Sequence, residues 1–392
     1  MNALPPRNRP VYLDHQATTP CDPRVLEAML PWFTERFGNP HSADHRMGRE
    51  ALDAVEEARG HIAALIGADP REIVLTSGAT ESNNLAIKGA ARFAAAQGSP
   101  RRRIVTVATE HRCVLESVAD LAAEGFEPVV LPVLADGLLD LDRLAAAVDD
   151  RTLLVSVMAV NNEIGVVQDL AAIAALARAA GALFHTDAAQ GAGKIPLDVA
   201  AAGIDLASIS GHKLCGPKGV GALYVRRRPR ARLAPLFSGG GQERGLRSGT
   251  LATPLVVGLG EACRIAARER EAEAARIAAL RERLWSGLAR AIPGVALNGS
   301  ATARIPGNLN VTFPAATAEA LIRACPDLCV STGSACSSAE VEPSHVLTAL
   351  GLPAEAAART LRLGLGRFTS EADVDYAVAA LAAAHAASAA PA

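Results

Sequence analysis

The sequence predicts an α/β protein: a doubly wound, mostly parallel sheet with a smaller α+β domain attached. Three observations predict it. Between Glu72 and Arg226 short apolar runs alternate with amphipathic helical stretches, the rhythm of strand–helix–strand units. Beyond them, Glu261–Ala291 reads as a long charged connecting helix, and the rest has weaker strand signals and more helix. Five of the apolar runs also end in conspicuous polar clusters, which suits the ligand-binding rim of an open parallel sheet. The expected boundaries are 14–260 for the large α/β domain, and 1–13 with 261–392 for the small one.

The elements follow in order. Arg49–Ile66 carries a helical apolar period and is closed by Gly67. The strands are Glu72–Leu75, Ile104–Ala108, Pro128–Pro132, Leu153–Val160, Ala182–Thr186, Leu206–Ile209 and Gly221–Val225. Between them, Asn83–Gln97, Val114–Ala123, Leu141–Val148 and Leu170–Ala180 read as helices. No long-period repeat occurs, and the only low-complexity segment is the alanine-rich tail after Tyr376.

Composition narrows the function. The 39 basic and 41 acidic residues among 392 leave a net charge of −2, which argues against a coat for nucleic acid or for an anionic membrane. Aromatics at 3% disfavour base-stacking platforms, so no direct nucleic-acid partner is expected. No apolar run approaches the ~20 residues of a membrane span, and the N-terminus lacks a signal-peptide core. A soluble, cytoplasmic protein is expected. Seven scattered cysteines without a CxxC pair fit neither a disulfide scaffold nor a closed zinc site, so no metal is expected.

The five polar clusters are 76–81, 109–111, 161–163, 187–190 and 210–213. Singly, each reads more readily as helix caps and turns; together on one rim they form a binding cleft. Ser77-Gly78-Ala79-Thr80 lies between strand and helix, where backbone N–H groups and the helix dipole suit a phosphate. There is no GxGxxG, no GxxxxGK[ST] and no GxSxG, which weakens dinucleotide, Walker-type and serine-hydrolase readings. Lys213 on the rim could form a Schiff base with an aldehyde, and Asp187 could serve as the acid that pyridoxal phosphate needs at its ring nitrogen. A solvated lysine and a helix N-cap are the plainer readings of the same two residues.

Motifs in order along nearly the whole chain then resemble a known family. They are YLDHQATTP (from Tyr12), FGNPHS (Phe37), TSGATESNNLAIKG (Thr76), TEHRCVL (Thr109), VNNEIGVVQD (Val160), HTDAAQ (His185), SGHKLCGPKGVGALYVRR (Ser210), GGGQERGLRSGT (Gly239), STGSACSS (Ser331) and LRLGLGRFT (Leu361). The chain resembles the class V aminotransferase group of fold-type I pyridoxal phosphate enzymes, and within it the cysteine desulfurases of iron–sulfur cluster assembly.

The resemblance implies a role for each matching residue. Lys213 binds the cofactor covalently and shuttles the substrate Cα proton. Asp187 pairs with the pyridine nitrogen, while Gln190 and Asn162 reach the ring hydroxyl side. His111 stacks on the ring and serves acid–base chemistry. Ala79 (through its backbone), Thr80, Ser210 and His212 hold the phosphate, joined by Thr250 from the partner subunit of a homodimer. Arg362, assisted by Asn162, clamps the substrate carboxylate. Cys336 lies in a small, polar loop of the mobile-loop subgroup and is the implied nucleophile, whereas Cys21, Cys113, Cys215, Cys263, Cys325 and Cys329 read as inert filler.

The implied reaction converts L-cysteine to L-alanine and leaves sulfur as a persulfide on Cys336, for transfer to acceptors such as an iron–sulfur scaffold. Selenocysteine lyase and class V aminotransferase are the rivals of the same fold; a non-catalytic sulfur-relay protein is the rival of another class. One departure is the alanine-rich tail, where relatives often carry a longer docking segment. The run Arg226–Arg232 reads as a solvated turn, with steering of acidic sulfur acceptors as the alternative.

Overall fold

The structure, a computed structural model, describes residues 9–332 and 344–389. Its strands there are β1 (Val11–Tyr12), β2 (Ile73–Thr76), β3 (Arg103–Val107), β4 (Glu127–Leu131), β5 (Thr152–Ser156), β6 (Leu183–Asp187), β7 (Leu206–Ser210), β8 (Gly221–Val225), β9 (Ala296–Leu297), β10 (Asn308–Thr312), β11 (Leu328–Cys329) and β12 (Thr360–Gly364). The main sheet has the order β2-β8-β7-β6-β5-β3-β4. Strands β4 to β7 and β3 pair in parallel; β8 runs antiparallel to both β7 and β2. The carboxyl ends of β2, β3, β5, β6 and β7 therefore share one edge.

Continuous apolar strands arise because both faces are covered. Val105, Val107 and Val155 enter one core with Ile173 and Ala177 of the helix Leu170–Ala179. Ile104 and Leu154 point the other way, onto Leu85, Ile87 and Ala90 of the helix Ala79–Ala96. This is the doubly wound, mostly parallel sheet that the alternation predicts. The apolar run Leu153–Val160 leaves the ladder after Ser156, yet the Val157 and Ala159 amides still donate to the His185 and Asp187 carbonyls at 3.1 and 2.9 Å.

A second core packs β10 and β12 (Leu309, Val311, Leu361, Leu363) against Val374 and Leu381 of the helix Glu371–Ala389. Strands β12, β10 and β9 form an antiparallel sheet, and β1 pairs with β11 in parallel beside them. One 39-residue helix, Thr253–Ala291, joins the two cores. Its first half (Val256, Leu259, Cys263) packs on the large sheet, and its second half (Leu280, Leu284, Leu288) on the small one. Gly260 permits this, since a Cβ there would lie 2.5 Å from the Ala58 backbone. Among the described residues no helix is long and apolar enough to cross a membrane.

Candidate active site

A cleft of about 560 Å³ opens at the shared strand edge. Ala79, Thr80, His111, Asn162, Asp187, Gln190, Ser210, His212, Lys213 and Arg362 all line it. One end is an anion cradle. Gly78, at φ +148°, turns the chain from β2 into the helix Ala79–Ala96, whose first N–H groups have no intrahelical acceptor. Only glycine fits across the way too: a Cβ on Gly221 would lie 2.6 Å from Gly78 Cα. Ser210 follows at the end of β7, and His212 Nδ1 lies 3.0 Å from Thr18 Oγ1. Burial, with the Lys213, Lys218 and Lys194 cations, pushes the His212 ring down to about 4, so it is neutral at pH 7.

Lys213 stands in the middle, its Nζ donating to the Gln16 and Ala17 carbonyls at 2.5 and 2.7 Å. Asp187, at the end of β6, is held twice. Its Oδ2 accepts from Asn83 Nδ2 at 2.7 Å and its Oδ1 from the Ala189 amide at 2.9 Å. Behind it Glu110 is fully enclosed; burial, then the Asp187 charge, raises its carboxyl well above the ordinary range. His111 caps the helix Arg112–Asp120, Nδ1 accepting from the Cys113 amide at 3.2 Å. That bond leaves the neutral ring's proton on Nε2.

A buried carboxylate, a lysine amine and a helix-terminal cradle in one cleft match the donor set that pyridoxal 5′-phosphate requires: acid for the ring nitrogen, amine for the aldehyde, N–H groups for the phosphate. The residues fit the cofactor. Among the described residues no group of three His, Cys, Asp or Glu side chains is arranged to hold a metal ion.

Arg362 closes the opposite wall from the middle of β12. It is 2% exposed, donating from Nη2 to Asp14 Oδ1 at 2.7 Å and from Nη1 to the Asn162 carbonyl at 3.1 Å. Asn162 thus meets Arg362 through its backbone. Ser331 forms a β-bridge with Arg362, so residues just before the Cys336 segment are pinned to this wall. On the far side, Ser344 Oγ donates to Glu163 Oε2 at 2.5 Å and His345 Nε2 lies 2.9 Å from the Glu110 carbonyl. Cys336 itself lies outside the described residues.

Thr250 is exposed and does not line its own chain's cleft. Its segment is nevertheless tied to the cradle, because Arg247 Nε donates to Glu81 Oε1 at 2.9 Å while Glu81 Oε2 accepts from the Ser77 amide at 2.7 Å. Of the cysteines read as filler, Cys113, Cys215, Cys263 and Cys325 are buried and Cys329 is half-buried. Cys113 packs in the core while also bordering the cleft, where its Sγ accepts from Asn83 Nδ2 at 3.2 Å. Cys21 departs from the reading: it is exposed, beside the cap of a surface helix.

Sequence reasoning passed over Asn83, Asp14, Gln16 and Glu163. For Asn83 a signal existed: four residues after Ala79, it shares that residue's helix face. Gln16 acts through a backbone carbonyl, which no side-chain reading could find.

Residues 11–377 match the family described as aminotransferase class-V. The mitochondrial cysteine desulfurase of Arthroderma benhamiae is 56% identical over 374 residues, covering 95% of this chain and 74% of its own. Cysteine desulfurase IscS of Rickettsia bellii is 55% identical over 369 residues, 94% of this chain and 89% of its own. A solved NifS-like protein superposes with a TM-score of 0.88 at 37% identity, over 95% of this chain and 98% of the other. Because likeness on this scale runs through the large sheet, the cleft and the second core together, the chain belongs to the class-V aminotransferase family.

Proposed function

We propose that the protein is a pyridoxal phosphate-dependent cysteine desulfurase, which takes L-cysteine to L-alanine and stores the sulfur as a persulfide on Cys336. The observation that carries this reading is the convergence of Lys213, Asp187 and Arg362 on one cleft. The names of the relatives, cysteine desulfurases from a fungus and a bacterium, support the same activity.

Pyridoxal phosphate, when bound, supplies an electron sink that weakens the bonds at the substrate Cα. Asp187 keeps a proton on the ring nitrogen, and the two hydrogen bonds it accepts hold it in place. The cradle of Ala79, Thr80, Ser210 and His212 anchors the phosphate, completed by Thr250 of a second subunit. Arg362 orients the substrate carboxylate with its planar fork. The Lys213 amine takes the Cα proton, and His111 offers Nε2 as a proton carrier over the same space. The Cys336 thiolate attacks the substrate sulfur; the Cβ–S bond breaks, and its electron pair returns to the carbon skeleton. Protonation at carbon completes alanine, and the enzyme is left with a Cys336 S–S linkage.

The protein so read is a cytoplasmic homodimer that passes sulfur to acceptor proteins, an iron–sulfur scaffold among them. The IscS name of the bacterial relative supports that destination. The test follows alanine and persulfide together. Cys336→Ala and Cys336→Ser should keep the yellow cofactor and its spectral response to L-cysteine, yet form almost no alanine and carry no persulfide. Substantial alanine from either variant, or wild-type persulfide on another cysteine, sinks the assignment of the nucleophile. A protein that takes up no pyridoxal phosphate sinks the whole reading.

A further inference from the structure

Gln190 is oriented by two neighbours. Gln190 Nε2 donates at 2.8 Å to the Gln16 carbonyl, which can only accept, and Gln190 Oε1 accepts from Lys194 Nζ at 2.8 Å. Flipping the amide would set carbonyl against carbonyl and, with Lys194 charged, N–H against ammonium. The same Gln16 carbonyl accepts from Lys213 Nζ. A continuous chain therefore runs from Lys194 through Gln190 and Gln16 to Lys213. The two lysines also line a narrow cavity of about 60 Å³ behind the cleft. We propose that Lys194 is a positioning residue for the cofactor centre: it holds the Gln190 amide in one orientation at the wall of the cleft and, as a second cation beside Lys213, favours loss of the Lys213 proton. The inference rests on the desulfurase reading, in which Gln190 and Lys213 meet the cofactor.

The surroundings favour this electrostatic role. The hydrogen-bond partner of Lys194 is neutral, so its charge is not cancelled where it acts. His15, on the N-terminal segment, is pushed down to about 4 by burial and then by Lys194, and so is uncharged at neutral pH. From the long helix come Glu273 and Arg270, and after β12 comes Arg367. Glu273 is already paired with Arg367 Nε at 2.7 Å. The Cys215 thiol is raised by burial and carries no charge there, and Arg362 adds a further cation from β12. Burial, then Lys213, pushes the Lys194 amine down to about 7. Two ammonium groups in one small cavity disfavour each other, and the coupling is reciprocal.

The test replaces Lys194 in the holoenzyme and reads the pH midpoint of the visible absorption band without substrate. Lys194→Arg keeps the cation at every pH, and Lys194→Met removes it with similar bulk. Lys194→Gln serves as a second neutral variant. The midpoint should fall lowest in the arginine variant and highest in the neutral ones, spanning on the order of one pH unit. The rising limb of kcat/KM for cysteine should move in the same order. Cofactor loss on dialysis should quicken several-fold in the neutral variants and be restored toward wild type by arginine. Equal midpoints for the arginine and methionine variants would overturn the inference while leaving the desulfurase reading intact. Wild-type protein that binds no pyridoxal phosphate would overturn both.

Discussion

Arg362 and Asp14 form an ion pair, Nη2 to Oδ1 at 2.7 Å, with the guanidinium 2% and the carboxylate 17% exposed. Asp14 thus fixes the guanidinium plane before any substrate arrives. With Nη1 on the Asn162 carbonyl, the fork is held from two sides. Arg362→Ala should raise the KM for L-cysteine at least tenfold, corresponding to roughly 1.5–3 kcal/mol for a charged hydrogen-bonded group. Arg362→Lys should recover little, because a lysine lacks the planar fork. Asp14→Asn should give a smaller rise. Initial rates of alanine formation against cysteine concentration check all three, and an unchanged KM in Arg362→Ala would refute the clamp.

Asn83 braces Asp187 from the neighbouring helix. Asn83→Ala removes one of the two bonds that hold the carboxylate. Pyridoxal phosphate affinity should drop about 5- to 30-fold, the equivalent of ~1–2 kcal/mol for a bond to a charged acceptor. Equilibrium dialysis measures it, with circular dichroism confirming an unchanged fold. Asp187→Ala should lose more.

His185 supplies a pH prediction whose sign is fixed. Its ring is fully buried on β6 between Ser156 Oγ and Ser208 Oγ, at 2.8 and 3.1 Å, and burial pushes it down to about 3. The folded chain refuses a proton that the unfolded chain accepts below about 6.5. The contribution of the neutral ring is fully present above that pH and is lost as pH falls from about 6.5 toward 3. Each unit in that window removes about 1.4 kcal/mol. Buried Glu110, with its raised carboxyl, acts with the opposite sign, so the informative quantity is a difference. The stability of the wild type relative to His185→Gln, from urea midpoints, should shrink between pH 7 and pH 5. A constant difference would show that His185 is not the titrating group.

Thr250 should complete the phosphate site of a second subunit. Sedimentation should show a dimer at micromolar concentration, and Thr250→Ala should weaken cofactor retention without dissociating it. A fully active monomer would contradict the arrangement.

The large sheet and the cleft were legible because they obey simple rules. Strands buried on both faces are runs of Val, Ile and Leu, and their polar ends mark the rim; the structure gathers every strand-end cluster at one edge. Helix starts were less legible. The helix predicted from Asn83 begins at Ala79, since Thr80, Glu81 and Ser82 look like loop residues although they form its first turn. The long helix begins at Thr253 rather than Glu261, because Pro254 sits harmlessly in its first turn and Gly258 and Gly260 are selected for close packing. The small sheet was hardest. Its strands β10 and β12 carry Asn308, Asn310 and Arg362 fully or nearly fully buried, and a search for apolar runs passes over such strands. Those side chains serve the boundary with the large sheet: Asn308 Nδ2 donates at 2.9 Å to the carbonyl of Glu163, the residue whose side chain holds Ser344.

The segment that carries Thr250 is rooted by a buried fork. Arg59 donates from Nη1 and Nη2 to the two Glu243 oxygens at 2.8 and 2.9 Å, and Glu243 Oε2 also accepts from the Leu75 amide at 2.7 Å. Glu243 and Arg244 hold φ of +49° and +58°, a left-handed kink that non-glycine residues seldom adopt unless their surroundings impose it. The arm is consequently shaped by its own chain. In the homodimer proposed above, two subunits meeting through it would need to order no loop first, so association would forgo an entropic penalty common at interfaces. The arrangement would also make the two active centres mutually dependent. Dilution that separates the pair would open both phosphate sites in a single event, and the protein would lose cofactor as a unit rather than one site at a time.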